Sequence, residues 1–186
     1  MKTLQQHIEE KLVLQNNTKI RKNKYHPKTK EELVKIIKSE VEKNGWECDL
    51  NHIDVSEITD MSHLFCGSKK NGHGLSNFNG DISQWDVSNV KNMKSMFNHA
   101  YSFNQPIGDW DVSNVINMGD MFSCAETFNQ DISKWDVSNV TDMGFMFFSA
   151  ESFDQDISGW KLNEKCDCKF MFDDCLLKEE FKPKGI

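Results

Sequence analysis

The sequence predicts an α/β solenoid: a right-handed stack of about five 25-residue coils, each with a short parallel strand and a short helix, behind an N-terminal helical cap. Three observations predict it. Trp85, Trp110, Trp135 and Trp160 recur every 25 residues. The segments FNGDISQWDVSNVKNMKSMF, FNQPIGDWDVSNVINMGDMF and FNQDISKWDVSNVTDMGFMF around them differ at only a few positions each. Inside each repeat, an alternating stretch is followed by apolar residues at helical spacing.

With 38 % hydrophobic and 11 % aromatic residues, the chain supports one domain whose core is a strip running through the coils. Residues 1–50 do not repeat. They are assigned to an N-terminal helical cap, because an uncovered outermost coil would expose its apolar face and its edge. Leu4, Ile8 and Leu12 fall at i, i+4 and i+8, a short amphipathic helix. The polar, basic run NNTKIRKNKYHPK then reads as a loop. A second helix begins at the N-cap Thr29, with Glu32 completing a capping box. It carries the stripe Leu33, Ile36, Ile37 and Val41 and stops at Asn44-Gly45.

Residues 51–175 are the repeats. The first coil, 51–77, is degenerate: IDVSEITDMSHLF at 53–65 matches WDVSNVKNMKSMF at 85–97, with Ile53 in place of tryptophan. Its offset is 32 residues rather than 25, and an insertion at 66–77, rich in Gly, Ser, Asn and Lys, reads as a surface loop. In the later coils the spacing of Val90, Met93, Met96, Phe97 and Ala100 predicts a helix of about two to three turns, with Asp86 or Ser88 as its N-cap. The stretch from Asp81 to Trp85 predicts a strand. Stacked at ~4.8 Å, such strands predict a parallel sheet roughly 20 Å wide. Residues 176–186 form a C-terminal tail in which Leu176, Leu177 and Phe181 close the end.

The net charge of −7 is unevenly spread: residues 1–45 sum to +5 and residues 78–160 to −9. Such polarity implies a basic head and an acidic body. The aromatic columns, Phe78/Phe103/Phe128/Phe153 and the four tryptophans, are expected in the core. The columns Asn79/Asn104/Asn129 and Asn89/Asn114/Asn139 are expected to satisfy backbone groups left unpaired by turns. Of the six cysteines, Cys168 falls in the Met93/Met118/Met143 column and Cys175 in the Ala100/Ala125/Ala150 column, so both read as core fillers. No C-x-x-C, calcium loop, phosphate loop or nucleophile–base pair is present. The expectation is a protein that is not an enzyme and takes no cofactor and no metal.

The run FNQDISKWDVSNVTDMGFMF resembles the BspA-like repeat family, a divergent class of leucine-rich repeats of about 25 residues. The similarity covers roughly residues 50–175. It implies a non-enzymatic, protein-binding solenoid of the kind common in bacterial surface proteins, mycoplasma lipoproteins and phage or mobile-element genes. Unlike many such proteins, this sequence displays no leader, lipidated cysteine or wall-sorting tail.

Positions that vary inside a constant repeat are the natural specificity set. They are Gln84, Asp109 and Lys134 before the tryptophan; Lys91, Ile116 and Thr141; His99, Cys124 and Ser149; and Tyr101, Glu126 and Glu151. These are expected to be exposed and the constant positions buried. Arg21, Lys22 and Lys24 are candidates for contacts to phosphates, so nucleic acid would engage the basic N-terminal region only. The expected function is protein–protein recognition in the cytoplasm, with no membrane segment. The alternatives are an inhibitor encoded by a phage or mobile element that sequesters a host defence protein or nucleic acid, and a fragment of a secreted adhesin.

Overall fold

The structure is a computed structural model describing residues 24–68 and 72–185. The expected helix over Leu4, Ile8 and Leu12, together with Arg21 and Lys22, lies outside the described residues. One α-helix is present among them, α1, Lys30–Asn44. The Thr29 hydroxyl accepts the Glu32 N–H, and Glu32 reaches back to the Lys28 N–H at 2.7 Å. Gly45, at a φ of 86°, ends the helix by donating its N–H to Val41. Only glycine takes that left-handed conformation without cost. Leu33, Ile37 and Val41 are buried in the same core as the coils.

The α/β solenoid of short strands and helices does not form. Besides α1, the described residues contain a single turn of 3-10 helix, Glu179–Phe181, and isolated parallel bridges joining Asp60, Asn92, Asn117, Asp142 and Asp167. The 25-residue coils are instead chains of tight turns. In the second coil these close at Trp85→Ile82, Val90→Val87, Met96→Met93, Asn98→Ser95, Ala100→Phe97 and Phe103→Ala100. Trp85 therefore ends a turn where a strand was expected. Over 90–100, three-residue turns place apolar side chains at the same i, i+3, i+6 spacing that a helix would use.

Two columns of left-handed residues make a helix impossible there. His63, Ser95, Asp120, Phe145 and Phe170 form one; His99, Cys124, Ser149 and Asp174 form the other, all with φ between 52° and 58°. Left-handed backbone costs an L-residue about 1–2 kcal/mol. What offsets it is the hydrogen bonding between coils. From the 93 column to the 99 column, every second N–H points at the next coil: Met93 to Asn117, Ser95 to Gly119, Phe97 to Met121, His99 to Ser123. The same four bonds recur between each neighbouring pair of coils, from Met61–Asn92 to Ser149–Asp173. All run in one direction. A parallel β-ladder would instead place N–H and C=O groups on both edges of each strand.

The core runs through the stack as aromatic ladders. Phe65, Phe97, Phe122, Phe147 and Phe172 stack at 5.4–5.7 Å between successive rings, a column the helical reading had merged with its methionines. Phe78, Phe103, Phe128 and Phe153 form the expected second ladder at 6.0–6.3 Å. The tryptophans are buried, and each indole N–H donates to a backbone carbonyl of the coil before: Trp85 to Leu50, Trp110 to Ile82, Trp135 to Ile107, Trp160 to Ile132, at 3.0–3.3 Å. Each tryptophan fills the core and stitches one coil to its neighbour.

Candidate interaction surface

The conserved polar columns are the frame on which the variable ones sit. Asp86, Asp111 and Asp136 each accept the N–H and the hydroxyl of the serine two residues on. They cap turns, not helices, and the serine bonds hold the Asp111 and Asp136 carboxyls below the ordinary range. Asn89, Asn114 and Asn139 donate to Ser56, Ser88 and Ser113 carbonyls of the preceding coil at 2.8 Å. Asn79, Asn104 and Asn129 each accept an N–H from the coil that follows, at 3.0 Å. The expectation that constant positions are buried therefore fails for the Asp86 and Asn89 columns, which are exposed. Hydrogen bonds, within the turn for the Asp86 column and between coils for the Asn89 column, account for their constancy in place of burial.

Among the variable positions, Gln84, Asp109, Lys134, Lys91, Ile116, Thr141, Tyr101, Glu126 and Glu151 are all exposed. His99, Cys124 and Ser149 are half-buried and sit in left-handed backbone. Gln84, Asp109 and Lys134 come together in a surface groove of about 440 Å³ with Ser83, Pro106 and Asp131. Lys134 Nζ lies 3.8 Å from Asp109 Oδ1 across it. Lys91, Ile116 and Thr141 are joined by backbone bonds, Ile116 N–H to Lys91 and Thr141 N–H to Ile116. His99 meets Tyr101 edge to face at 5.8 Å. No side-chain hydrogen bond or ion pair among the described residues joins one of these ladders to another. The result is separate ridges along the stack.

The basic candidates behave differently. Lys24 Nζ lies 3.5 Å from Glu40 Oε1 and 4.6 Å above the Tyr25 ring. Its charge is therefore engaged within the fold. Glu40 anchors a cluster that the sequence did not reveal: Tyr25 Oη donates to it at 2.8 Å, Asn44 Nδ2 at 3.0 Å, and His52 Nε2 sits 3.4 Å away without hydrogen-bond geometry. Burial pushes the Glu40 carboxyl up, but the tyrosine bond and the Lys24 and His52 charges outweigh it and leave it below its ordinary value. The clue was Glu40 itself, a charge on the apolar side of the predicted helix.

His63 and His73, in the first coil and its insertion, each hold a buried ring nitrogen without a partner. Burial, with Lys30 and other lysines nearby, lowers both imidazoles. Among the described residues, no three His, Cys, Asp or Glu side chains gather as a metal ligand set, and no helix is long and apolar enough to cross a membrane. All six cysteines are free thiols, with Cys168 and Cys175 half-buried against the core.

No curated protein and no solved structure matches the chain. The family described as "Mycoplasma protein of unknown function, DUF285" matches residues 37–80 and 71–182, far more than half of the chain, and includes the whole stack of coils. The chain belongs to that family.

Proposed function

We propose that this protein is a non-enzymatic recognition module that binds a partner protein along the ridges of its stack. One observation carries the reading: the Gln84, Lys91 and Tyr101 positions and their counterparts, which differ between otherwise matching coils, are exposed, while the aromatic and aliphatic columns are buried. A frame repeated this closely can change exposed side chains without disturbing its core, as repeat proteins that present extended binding surfaces do. The resemblance of the repeat to BspA-like leucine-rich repeats supports the same reading. The six free thiols fit a reducing compartment, so we place the protein in the cytoplasm. Lys24 is occupied by Glu40, which favours a protein partner over nucleic acid.

The test is affinity capture with the full chain and two triple variants, Gln84→Ala/Asp109→Ala/Lys134→Ala and Tyr101→Ala/Glu126→Ala/Glu151→Ala. Both variants should keep the parent's circular dichroism and melting temperature, because the altered side chains are exposed. At least one should lose a protein that the parent retains. Identical captured sets from all three chains would refute the assignment.

A further inference from the structure

Cys166 and Cys168 lie two residues apart in the last coil, in columns where the central coils hold no thiol. Those columns read Lys91, Ile116, Thr141 and Met93, Met118, Met143. Asp167 between them is fixed by its backbone: it forms a parallel bridge with Asp142, donates its N–H to Thr141 and accepts the Met143 N–H. Extended backbone of this kind turns the side chains at i and i+2 to one face. Cys166 Sγ lies 3.8 Å from the Asp167 carbonyl, on the peptide that joins Asp167 to Cys168. Both thiols are half-buried. Cys168 also lines a cavity of about 550 Å³ together with Phe170, Phe172 and Lys182.

The other thiols lack this combination of a neighbour and an opening. Cys48 and Cys66 are buried, and burial pushes both up. Burial also raises Cys175, whose thiol donates to the Ala150 carbonyl at 3.5 Å. Cys124 has no cysteine two residues away. At 166 and 168 each thiol acts on the other. Contact with Cys166 lowers the Cys168 thiol, against burial and the Asp167 and Asp142 carboxylates, while the same contact and burial raise Cys166. The member held as the better thiolate is the one that lines the cavity. Its neighbour keeps a proton, which is what a resolving thiol has to supply.

We propose that Cys168 is a peroxide-reactive thiol and Cys166 its resolving partner. The Cys168 thiolate attacks one oxygen of hydrogen peroxide, so that an S–O bond forms and the O–O bond breaks. The departing hydroxide takes up the proton that the thiol gave to solvent, leaving a sulfenic acid on Cys168. Cys166 sulfur then attacks Cys168 sulfur; the S–S bond forms, the S–O bond breaks, and the hydroxyl leaves with the Cys166 proton as water. In sum, two thiols lose two electrons and two protons, and one peroxide becomes two waters. The Asp142 and Asp167 carboxylates beside both thiols disfavour an anionic oxidant such as glutathione disulfide, whereas peroxide is small and neutral. Two residues of extended chain separate their α-carbons by about 6.6 Å, close to the upper limit of roughly 6.8 Å for a disulfide. Closing the bond therefore pulls on the Asp167 rung, and strained disulfides are the readily reduced ones. The site is reversible, and it does not depend on the lateral ridges.

The experiment treats the reduced full chain with hydrogen peroxide and reads the products by intact and peptide mass spectrometry. The chain should lose two hydrogens as a Cys166–Cys168 disulfide, at least about tenfold faster than any other thiol is modified, and dithiothreitol should restore it. A Cys166→Ser chain should stop at a sulfenic acid on Cys168 that dimedone traps, and a Cys168→Ser chain should form neither product. Oxidation should accelerate amide exchange at Met143, whose N–H bonds to Asp167, and not at Met93, whose N–H bonds to Asn117. Glutathione disulfide at the same concentration should react at least about tenfold more slowly. The parent chain decides the first point without any variant: a first oxidation at another cysteine, or a disulfide between chains, would overturn the proposal. So would equal reactivity of the Cys168→Ser chain, an unchanged Met143 amide, or faster reaction with glutathione disulfide.

Discussion

At its N-terminal end the stack is covered by a 15-residue helix, whereas at the last coil, among the described residues, the Cys168, Phe170, Phe172 and Asp174 N–H groups have no backbone acceptor. The contrast follows from the direction of the spine. When every bond from the 93 to the 99 column runs the same way, one end presents carbonyls and the other presents amides, much as the two ends of an α-helix do. The two ends cannot be closed by one device. The carbonyl end is met by a helix whose Lys30 ammonium sits among the first coil's polar groups, and by the Tyr25–Ile53 bridge, which adds one more rung. At the amide end the Phe181 carbonyl accepts the Ile157 N–H, and Lys182 lies 5.5 Å above the Phe172 ring.

The largest effect should separate the middle of the stack from its open end. Phe122 has ring partners before, beside and after it, so Phe122→Ala should cost about 3–5 kcal/mol. Phe172, half-buried at the end of the same ladder, should cost about 1–2 kcal/mol on truncation. Urea unfolding of both variants gives the ratio, and equal losses would mean that the C-terminal end is closed as firmly as the centre.

Next in size is the covered end. Leu33→Ala should cost about 2–4 kcal/mol, with hydrogen exchange accelerating first in residues 50–68. Uniform acceleration along the whole chain would show instead that the stack unfolds as one unit and that its ends do not fray separately.

The indole bonds should be alike from coil to coil. Trp135→Phe keeps most of the buried ring but strands the Ile107 carbonyl, a loss of about 1–3 kcal/mol, and Trp110→Phe should match it. A Trp85→Phe variant that differed sharply from both would show that proximity to α1 changes the coil-to-coil link.

Acid should loosen the covered end before the centre. The folded-state imidazoles of His63 and His73 are lowered by burial, with Lys30 and Lys94 beside the first, opposed by Asp60 and Asp120, and Lys38, Lys30 and His63 beside the second. The unfolded chain takes up these protons at a pH of about 6.5, where the folded chain does not. Their stability is therefore complete above that pH and falls as pH drops below it. In the central coils, the Ser-bonded Asp111, Asp131 and Asp136 carboxyls are lowered, so their contribution holds until pH falls below about 4. Asp120, raised chiefly by burial, works in the opposite direction. Residue-resolved exchange at pH 7, 5.5 and 4 should show the first coil opening ahead of the others, and His63→Gln/His73→Gln should remove that lead.

The smallest effect concerns strain at the open end. Phe170→Asn places a residue tolerant of left-handed backbone at an exposed site, and stability should change by less than about 1 kcal/mol, towards greater stability. A large loss would mean that the Phe145–Phe170 stack holds the end together.

Much of this was legible in the sequence for a plain reason: period and burial are properties of side-chain type. The 25-residue register, the Phe78 and tryptophan columns, and the helix from Thr29 to Gly45 with its caps all follow from residue identities at fixed spacing. The exposed ridges were legible too, as variation inside constant repeats. The Glu40 cluster was hidden because Tyr25, His52 and Glu40 are far apart along the chain. The one-way run of amides along the spine was hidden because it is made of backbone.

By itself, the sequence determined how often the chain turns back and which side chains face inward, since hydrophobicity and spacing set both. Only the tertiary structure decided what conformation lies between those points. Apolar residues three apart suit a helix and a run of tight turns equally, and His63, Ser95, Phe145 and Cys124 carry no glycine-like mark of left-handed backbone. The choice fell to hydrogen bonds 24 residues long in sequence, such as Phe97 to Met121 and Ser149 to Asp173. A segment whose N–H groups are accepted by the next coil does not need its own helix to satisfy them. That preference exists only once two coils are side by side.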